Sequence, residues 1–421
     1  MEPEGASMSQ ALRILFLTLE FRAGTFSGNG VYAIAQLPVS SWHRLDAGAP
    51  WREYAAGALS DDVAEAVRAF APQLVLAVDW SSLPAARNLR PACRGAPLVF
   101  LNYRVFSRTA AGEDLELVSG FESAAMEESI LTVALSRSDA EYLVSHVSRK
   151  GSQAAATLPK VLLPALREDV RQLRPPAELL RLAEALRGAP LAGAEGQQGE
   201  CAAAKAEAVA AMAARSYLSC VVRLSPEKEP ERFVDVVEAM AAKGLLEQHS
   251  LTPLLLGAAN DEYAQALKAR LRAAAPQSVI LERFVGPSEL ADLYRQTRLN
   301  FHPSTYDAYG MTVVEAASQG APSIVHDGNG AVGATDLLRS AAGEVFLLDL
   351  KAPPEQTAAA LGALLSQPGR LADTAARAML RARSWDESAN AAELVRLVRG
   401  AVEAGRACPA QGLDGADTTN Q

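Results

Sequence analysis

Short apolar runs, each long enough for one strand, alternate along the chain with longer stretches of mixed polar and apolar residues. RILFLT, residues 13–18, leads into a glycine-bearing loop, AGTFSGNG, and then into the helix-compatible VYAIAQ. LVLAV at 74–78, PLVFLN at 97–102 and LTVALS at 131–136 follow, separated by helical stretches such as FESAAMEES. Alternation of this kind predicts an α/β architecture with a parallel, doubly wound sheet. The first unit is short: its helix candidate covers residues 30–36 before Leu37 and Pro38, and proline disfavours helix through the preceding residue. The next stretch, VSSWHRLDAGAPWREYAAG, holds no apolar run that would make a following strand.

The alternation starts again at YLSCVVRL, residues 217–224, followed by a helix with Phe233, Val236, Val237 and Met240 at helical spacing before Gly244. TPLLLG, VILERFVG, RLNFHPS and APSIVHD then each lead into a helix or a turn. Between the two series, roughly 175–215, the chain is rich in Ala, Gly, Gln and Glu with almost no β-branched or aromatic residues, the composition of a helical or disordered insertion. The expected organisation is an N-terminal Rossmann-like domain (1–172), a linker or insertion (173–213), a C-terminal Rossmann-like domain (214–384), a helix (385–406) and a disordered tail (407–421). Two such halves place a ligand in the cleft between them, at the carboxyl ends of the strands.

The 421 residues, 49% hydrophobic, suit two domains, and a net charge of -9 without a basic block argues against nucleic acid as a partner. Cys93, Cys201, Cys220 and Cys408 have no C-x-x-C spacing, which fits reduced thiols, and the histidines form no metal motif. ILFLTLEF from Ile14 is interrupted by Glu20 and follows no basic region, so it reads as a strand rather than a signal peptide, and no run reaches membrane-span length. A cytoplasmic location is expected.

The densest chemistry lies in PSTYDAYGMTVVEAASQGAPSIV, residues 303–325, where a strand end delivers Asp307 to a loop and Glu315 follows in a first helical turn. Here the sequence resembles the family 4 glycosyltransferases of the GT-B fold. Their motif of two acids, an aromatic and a glycine after the first, and Glu-Ala-x-x-x-Gly-x-Pro from the second is matched by Asp307, Tyr309, Gly310, Glu315, Ala316, Gly320 and Pro322. The resemblance sets Asp307 against the donor sugar and Glu315 on the ribose hydroxyls, with Tyr309, Gly310 and Met311 on the donor side. Read without it, Thr312 and Glu315 form a capping box and Asp307 is a turn former. VVRLSPEKEPERFVDVVEAM, residues 221–240, resembles the family segment that carries an Arg at a strand end and a Lys five residues on. Arg223 and Lys228 fill those places, suited to a leaving diphosphate; the competing reading is a solvated pair beside Glu227 and Glu229. Gly28 and Gly30 belong to a loop that the family places over the donor phosphates. That loop lacks the G-x-G-x-x-G pattern, which disfavours a dinucleotide enzyme. Arg283 and His302 read as structural, and Gly328 and Gly330 match a family glycine turn loosely.

The chain departs from the usual pattern at three places: Asp307 replaces Glu, Val222 replaces a Gly and would narrow the approach of the phosphates, and Val78 stands where many relatives have His, with Asp79 next. Relatives also run a longer first helix and a second strand, so the chain is expected to lack part of its first αβ unit. The resemblance implies a retaining transferase moving a sugar from a nucleotide-diphosphate sugar to a glycan, lipid or small-molecule acceptor. No cofactor is expected, and with no D-x-D triplet no obligatory metal either. A non-catalytic GT-B-shaped binding or scaffold protein is the rival reading, and a phosphorylase or epimerase a weaker one.

Overall fold

The computed structural model describes residues 13–18, 61–148, 158–188 and 195–407. The glycine loop with Gly28 and Gly30, the short helix candidate after it, and the tail lie outside the described residues.

The N-terminal sheet holds β1 (Ile14–Leu17), β2 (Leu74–Val78), β3 (Leu98–Asn102), β4 (Leu131–Ala134) and β5 (Lys160–Val161), paired in that order. Every pairing is parallel; Val78 stands opposite Leu101, and Asn102 opposite Ala134. β2 is buried throughout, as expected of a parallel strand covered on both faces. The C-terminal sheet holds β6 (Tyr217–Val221), β7 (Thr252–Leu256), β8 (Val279–Leu281), β9 (Thr297–Phe301), β10 (Ser323–His326) and β11 (Phe346–Leu348), in the spatial order β11-β10-β9-β6-β7-β8. Its first strand is central, and the chain reverses direction across the sheet between β8 and β9, which opens a crevice beside β6. The apolar runs read as strands from sequence form them. β5 and β11, of two and three residues, are too short to leave a periodic signal.

The helices used below are α1 (Glu113–Glu128), α2 (Arg137–Tyr142), α3 (Ala177–Gly188), α4 (Glu195–Ala214), α5 (Glu231–Ala242), α6 (Met311–Ser318), α7 (Pro354–Leu365), α8 (Pro368–Arg383) and α9 (Glu387–Ala407). On α5, Phe233, Val236, Val237 and Met240 are all buried, the face that their spacing predicts. The alanine-rich stretch between the domains is helical where described. α3 and α4 pack on each other and on α8, and Leu179, Leu182, Ala183, Ala208 and Met212 lie fully buried in the C-terminal core. α9 instead returns to the N-terminal sheet, where Leu394 and Val398 join Leu74, Leu76, Val78 and Leu101. Each half is thus completed by a helix that lies outside its own strand series. Among the described residues no helix is long and apolar enough to cross a membrane.

Candidate active site

Loops after β6 and β9 meet at the crevice. After β6 the chain turns through Pro226–Lys228, and Glu229 caps that turn in the left-handed region at φ 50°. Lys228 Nζ lies 2.8 Å from Asp307 Oδ2, which is also 3.4 Å from His302 Nε2. The other carboxylate oxygen, Oδ1, accepts the backbone N–H groups of Tyr309 and Gly310 at 3.3 and 3.1 Å. Burial works to raise the Asp307 pKa, but the Lys228 ammonium and His302 outweigh it and hold the carboxyl far below its usual range. Asp307 is therefore a fixed anion against a fixed cation.

Two further contacts sew these loops together. Ser304 Oγ donates to the Lys228 carbonyl at 3.0 Å, and the Glu229 carboxylate accepts the Thr305 N–H while pairing with Arg232 at 2.7 Å. Glu229, read from sequence only as a solvated neighbour of Lys228, is a brace. On its other side the Asp307 backbone bridges to residues 331–333: its N–H donates to Ala331 O, and its carbonyl accepts from Gly333, both at 3.0 Å. A Cβ on Gly333 would stand 2.2 Å from Ala308 O, so only glycine permits this approach. Gly333, three residues beyond Gly330, carried no sequence signal of its own.

Arg223 is mostly exposed and lies 3.2 Å from Glu227, next to the Lys228 loop. Glu315 is buried on α6, and its pKa is pushed up to about 7 by burial, against the pull of the Arg167 guanidinium 3.8 Å away. The N-cap of α6 is Gly310 at φ 82°, so Thr312 lies inside the helix and cannot form the capping box with Glu315. Tyr309 is buried among Val313, Val332 and Leu166, its hydroxyl donating to Pro164 O at 2.7 Å; what it offers the cleft is its backbone. Met311, partly buried, packs on the same cluster. Val222 sits in the C-terminal core with Leu224 and Phe233, so its side chain takes part in packing. Arg283 pairs with Glu289 and stays structural.

Across the cleft stand the loops after β3 and β4. Arg104 reaches Glu227 at 3.3 Å, and the Arg137 N–H donates to Asp336 Oδ2 at 2.7 Å. The Tyr306 hydroxyl donates to Asp139 Oδ1 at 3.1 Å, while Arg108, 2.8 Å from that oxygen, lies over the Tyr306 ring at 4.3 Å. Burial pushes Asp139 up to about 6 although Arg108 opposes it. Behind this loop Glu122, fully buried and raised to about 7 by burial, accepts the Phe106 N–H at 2.8 Å and the Ser107 hydroxyl. Val78 is a core residue, and Asp79 accepts the N–H groups of Tyr103 and Arg104 at 2.7 and 3.2 Å, which fixes the start of the arginine loop. Arg108, Asp139, Arg167 and Glu229 carried no sequence signal, because each acquires its partner only through the fold.

Two parallel α/β sheets facing each other across a cleft, with an acid and a lysine paired at the switch point of one of them, define the GT-B class of glycosyltransferase architecture. Residues 215–367 match the family described as glycosyl transferases group 1. D-inositol 3-phosphate glycosyltransferase of Rhodococcus erythropolis (strain PR4 / NBRC 100887) is 37% identical over 106 residues, which is 25% of this chain and 23% of that protein. The match thus spans about a quarter of that relative's length. The fold resembles sucrose-phosphate synthase from Thermosynechococcus elongatus, with a TM-score of 0.60 and 17% identity over 84% of this chain and 80% of that one. It likewise resembles Anabaena HepE in complex with UDP and glucose, with a TM-score of 0.57 and 18% identity over 82% and 83%. α,α-Trehalose 6-phosphate synthase from Burkholderia multivorans gives 0.58 and 18% over 84% and 76%.

Proposed function

We propose that the chain is a retaining, metal-independent glycosyltransferase that moves a hexose-type sugar from a nucleotide-diphosphate sugar to an acceptor held against the N-terminal wall of the cleft. The observation that carries this reading is the Lys228–Asp307 contact at the switch point, inside the region that matches group 1 glycosyltransferases. A lysine braced in place before the ligand arrives needs little reorganisation as negative charge grows on a departing diphosphate. Arg223 supplies a second cation from the same loop. Asp307 holds the sugar and Glu315 the ribose hydroxyls, so the donor loses its orientational freedom before bond cleavage. The acceptor oxygen attacks from the face that the diphosphate leaves, and no protein nucleophile takes part.

Calorimetric titration of UDP, GDP and ADP tests this directly, with UDP the first choice because one structural neighbour is a complex with UDP and glucose. A preferred diphosphate is expected to bind the wild type, and Lys228→Ala to weaken it on the order of a few kcal/mol. Failure of all three to bind, or equal affinity in wild type and variant, would sink the reading.

A further inference from the structure

On the outer edge of the C-terminal sheet, β11 pairs only with β10, and a cavity of about 460 Å3 opens between β11, the turn at 340–343 and helices α7 and α8. None of the cleft residues lines it. Its volume is that of a small-molecule site. Its floor is apolar, with Phe346, Leu348 and Leu364, and its wall presents Arg370, Arg377 and Asp373.

The charges in this wall do not balance. Among the described residues neither Arg370 nor Arg377 has a carboxylate within 4.0 Å. The Arg370 guanidinium is held 5.2 Å from the centre of the Phe346 ring, over the floor. The acid of the group, Asp373, gives its Oδ2 to Lys205 Nζ at 2.7 Å. Its Oδ1 is buried without a hydrogen-bond partner. The stem of Arg377 runs past Gly343, at φ 69°, where a Cβ would lie 3.6 Å from its Cδ. Two guanidinium groups sharing one concavity repel each other and have the planar donor fork that suits phosphate oxygens. A small phosphate ester meets that demand, its organic part resting on the apolar floor.

We propose that this cavity binds a small phosphate ester, a hexose phosphate in its simplest form, with Arg370 and Arg377 on the phosphate and the organic part over the apolar floor. The site is separate from the cleft and does not rest on the glycosyl-transfer reading.

Titration of the full chain with glucose 6-phosphate, inorganic phosphate and glucose tests it. Saturable binding of the ester, weaker binding of inorganic phosphate and none of glucose are expected at millimolar concentration. Arg370 and Arg377 are exposed, so Arg370→Ala/Arg377→Ala should fold normally, which thermal unfolding without ligand checks. The double variant should lose roughly tenfold or more in affinity for the ester. Lys228→Ala should bind the ester as the wild type does, and a nucleoside diphosphate titration of the same proteins reports on the cleft independently. No ester binding by the wild type, unchanged affinity in the double variant, or loss in Lys228→Ala instead, would each overturn the assignment.

Discussion

The two sheets are made of the same unit but are wound differently. In the C-terminal sheet the first strand, β6, is central, and the strands to either side run outward in opposite directions. Loops after β6 and β9 therefore diverge from neighbouring strands and leave room for Lys228, Asp307 and Glu229 to face one another. In the N-terminal sheet the described strands lie in chain order from β1 to β5, so every described crossover moves the same way. Its buried acids, Asp79 after β2, Glu122 on α1 and Asp139 on α2, hold loops in place and present Arg104 and Arg108 across the cleft. A reversal in strand order makes a site; an unreversed series makes a wall. The family match, confined to 215–367, follows the same division.

The sharpest way to break this comparison is to cut the halves apart. Burying a leucine or methionine is worth about 1.5–3 kcal/mol, and a domain is stable by only about 5–15 kcal/mol in total. A fragment of residues 214–421 loses α3 and nearly all of α4, and with them Leu179, Leu182 and Met212 from its core. It should be insoluble, whereas 173–386 should unfold cooperatively in urea and bind the nucleoside diphosphate. Equal folding of both fragments would show that α3 and α4 do not belong to the C-terminal half. Residues 1–172 lack α9 and should be unstable for the same reason.

Next in size is the loss of Lys228. On the proposed reading Lys228→Ala removes a cation from the leaving group; it also leaves Asp307 without its closest counter-ion, so it should reduce both affinity and thermal stability. Adding Asp307→Asn should restore stability without restoring affinity. Recovery of affinity in the double variant would mean that Lys228 acts only as a partner for Asp307. Arg223→Ala should cost less, since Arg223 is 59% exposed against 22% for Lys228.

Glu315 separates binding from folding. Its pKa of about 7 in the native protein lies above the 4.5 of a free glutamate, so between those values the unfolded chain has released a proton that the native one keeps. Stability contributed by this group therefore falls as pH rises from about 4.5 through 7 and stays low above that. Glu315→Gln should flatten this slope, match or exceed the wild-type melting temperature at pH 8, and still bind nucleoside more weakly. A variant that melts lower at every pH with unchanged affinity would make Glu315 a structural residue.

Much of the fold was legible because strands buried on both faces are mostly apolar, as in LVLAV, and in YLSCV apart from Ser219, whose hydroxyl is satisfied by Asn300. The packing of α3 and α4 was not, because alanine builds a close helix contact without a strong apolar face: Ala183 and Ala208 are fully buried, yet the stretch reads as a linker. Asp307 and Lys228 each stood in a recognisable motif, but the contact between them was not legible. Nothing in the sequence ties Glu229 to Thr305 or Arg167 to Glu315, since those pairings exist only once distant strands lie side by side. Val222 and Val78 show the opposite error of emphasis: both stood out as departures from a pattern, and both are ordinary core residues.

The smallest expected effect is that of a chelator, and it tests whether the site works through its own cations. A divalent ion at a diphosphate is held by several free carboxylate oxygens. In this cleft Asp307 Oδ2 is taken by Lys228 and Oδ1 by two backbone N–H groups, while burial raises the Glu315 pKa and Arg167 lies 3.8 Å from it. Both acids are therefore engaged with the protein, and on the proposed reading Lys228 and Arg223 neutralise the phosphate oxygens in place of a metal. Initial rates of sugar transfer should be the same with EDTA as without it, and added magnesium should not raise them. Complete loss of transfer that magnesium restores would show that the diphosphate leaves on a metal ion, and the role given to Lys228 and Arg223 would have to be withdrawn.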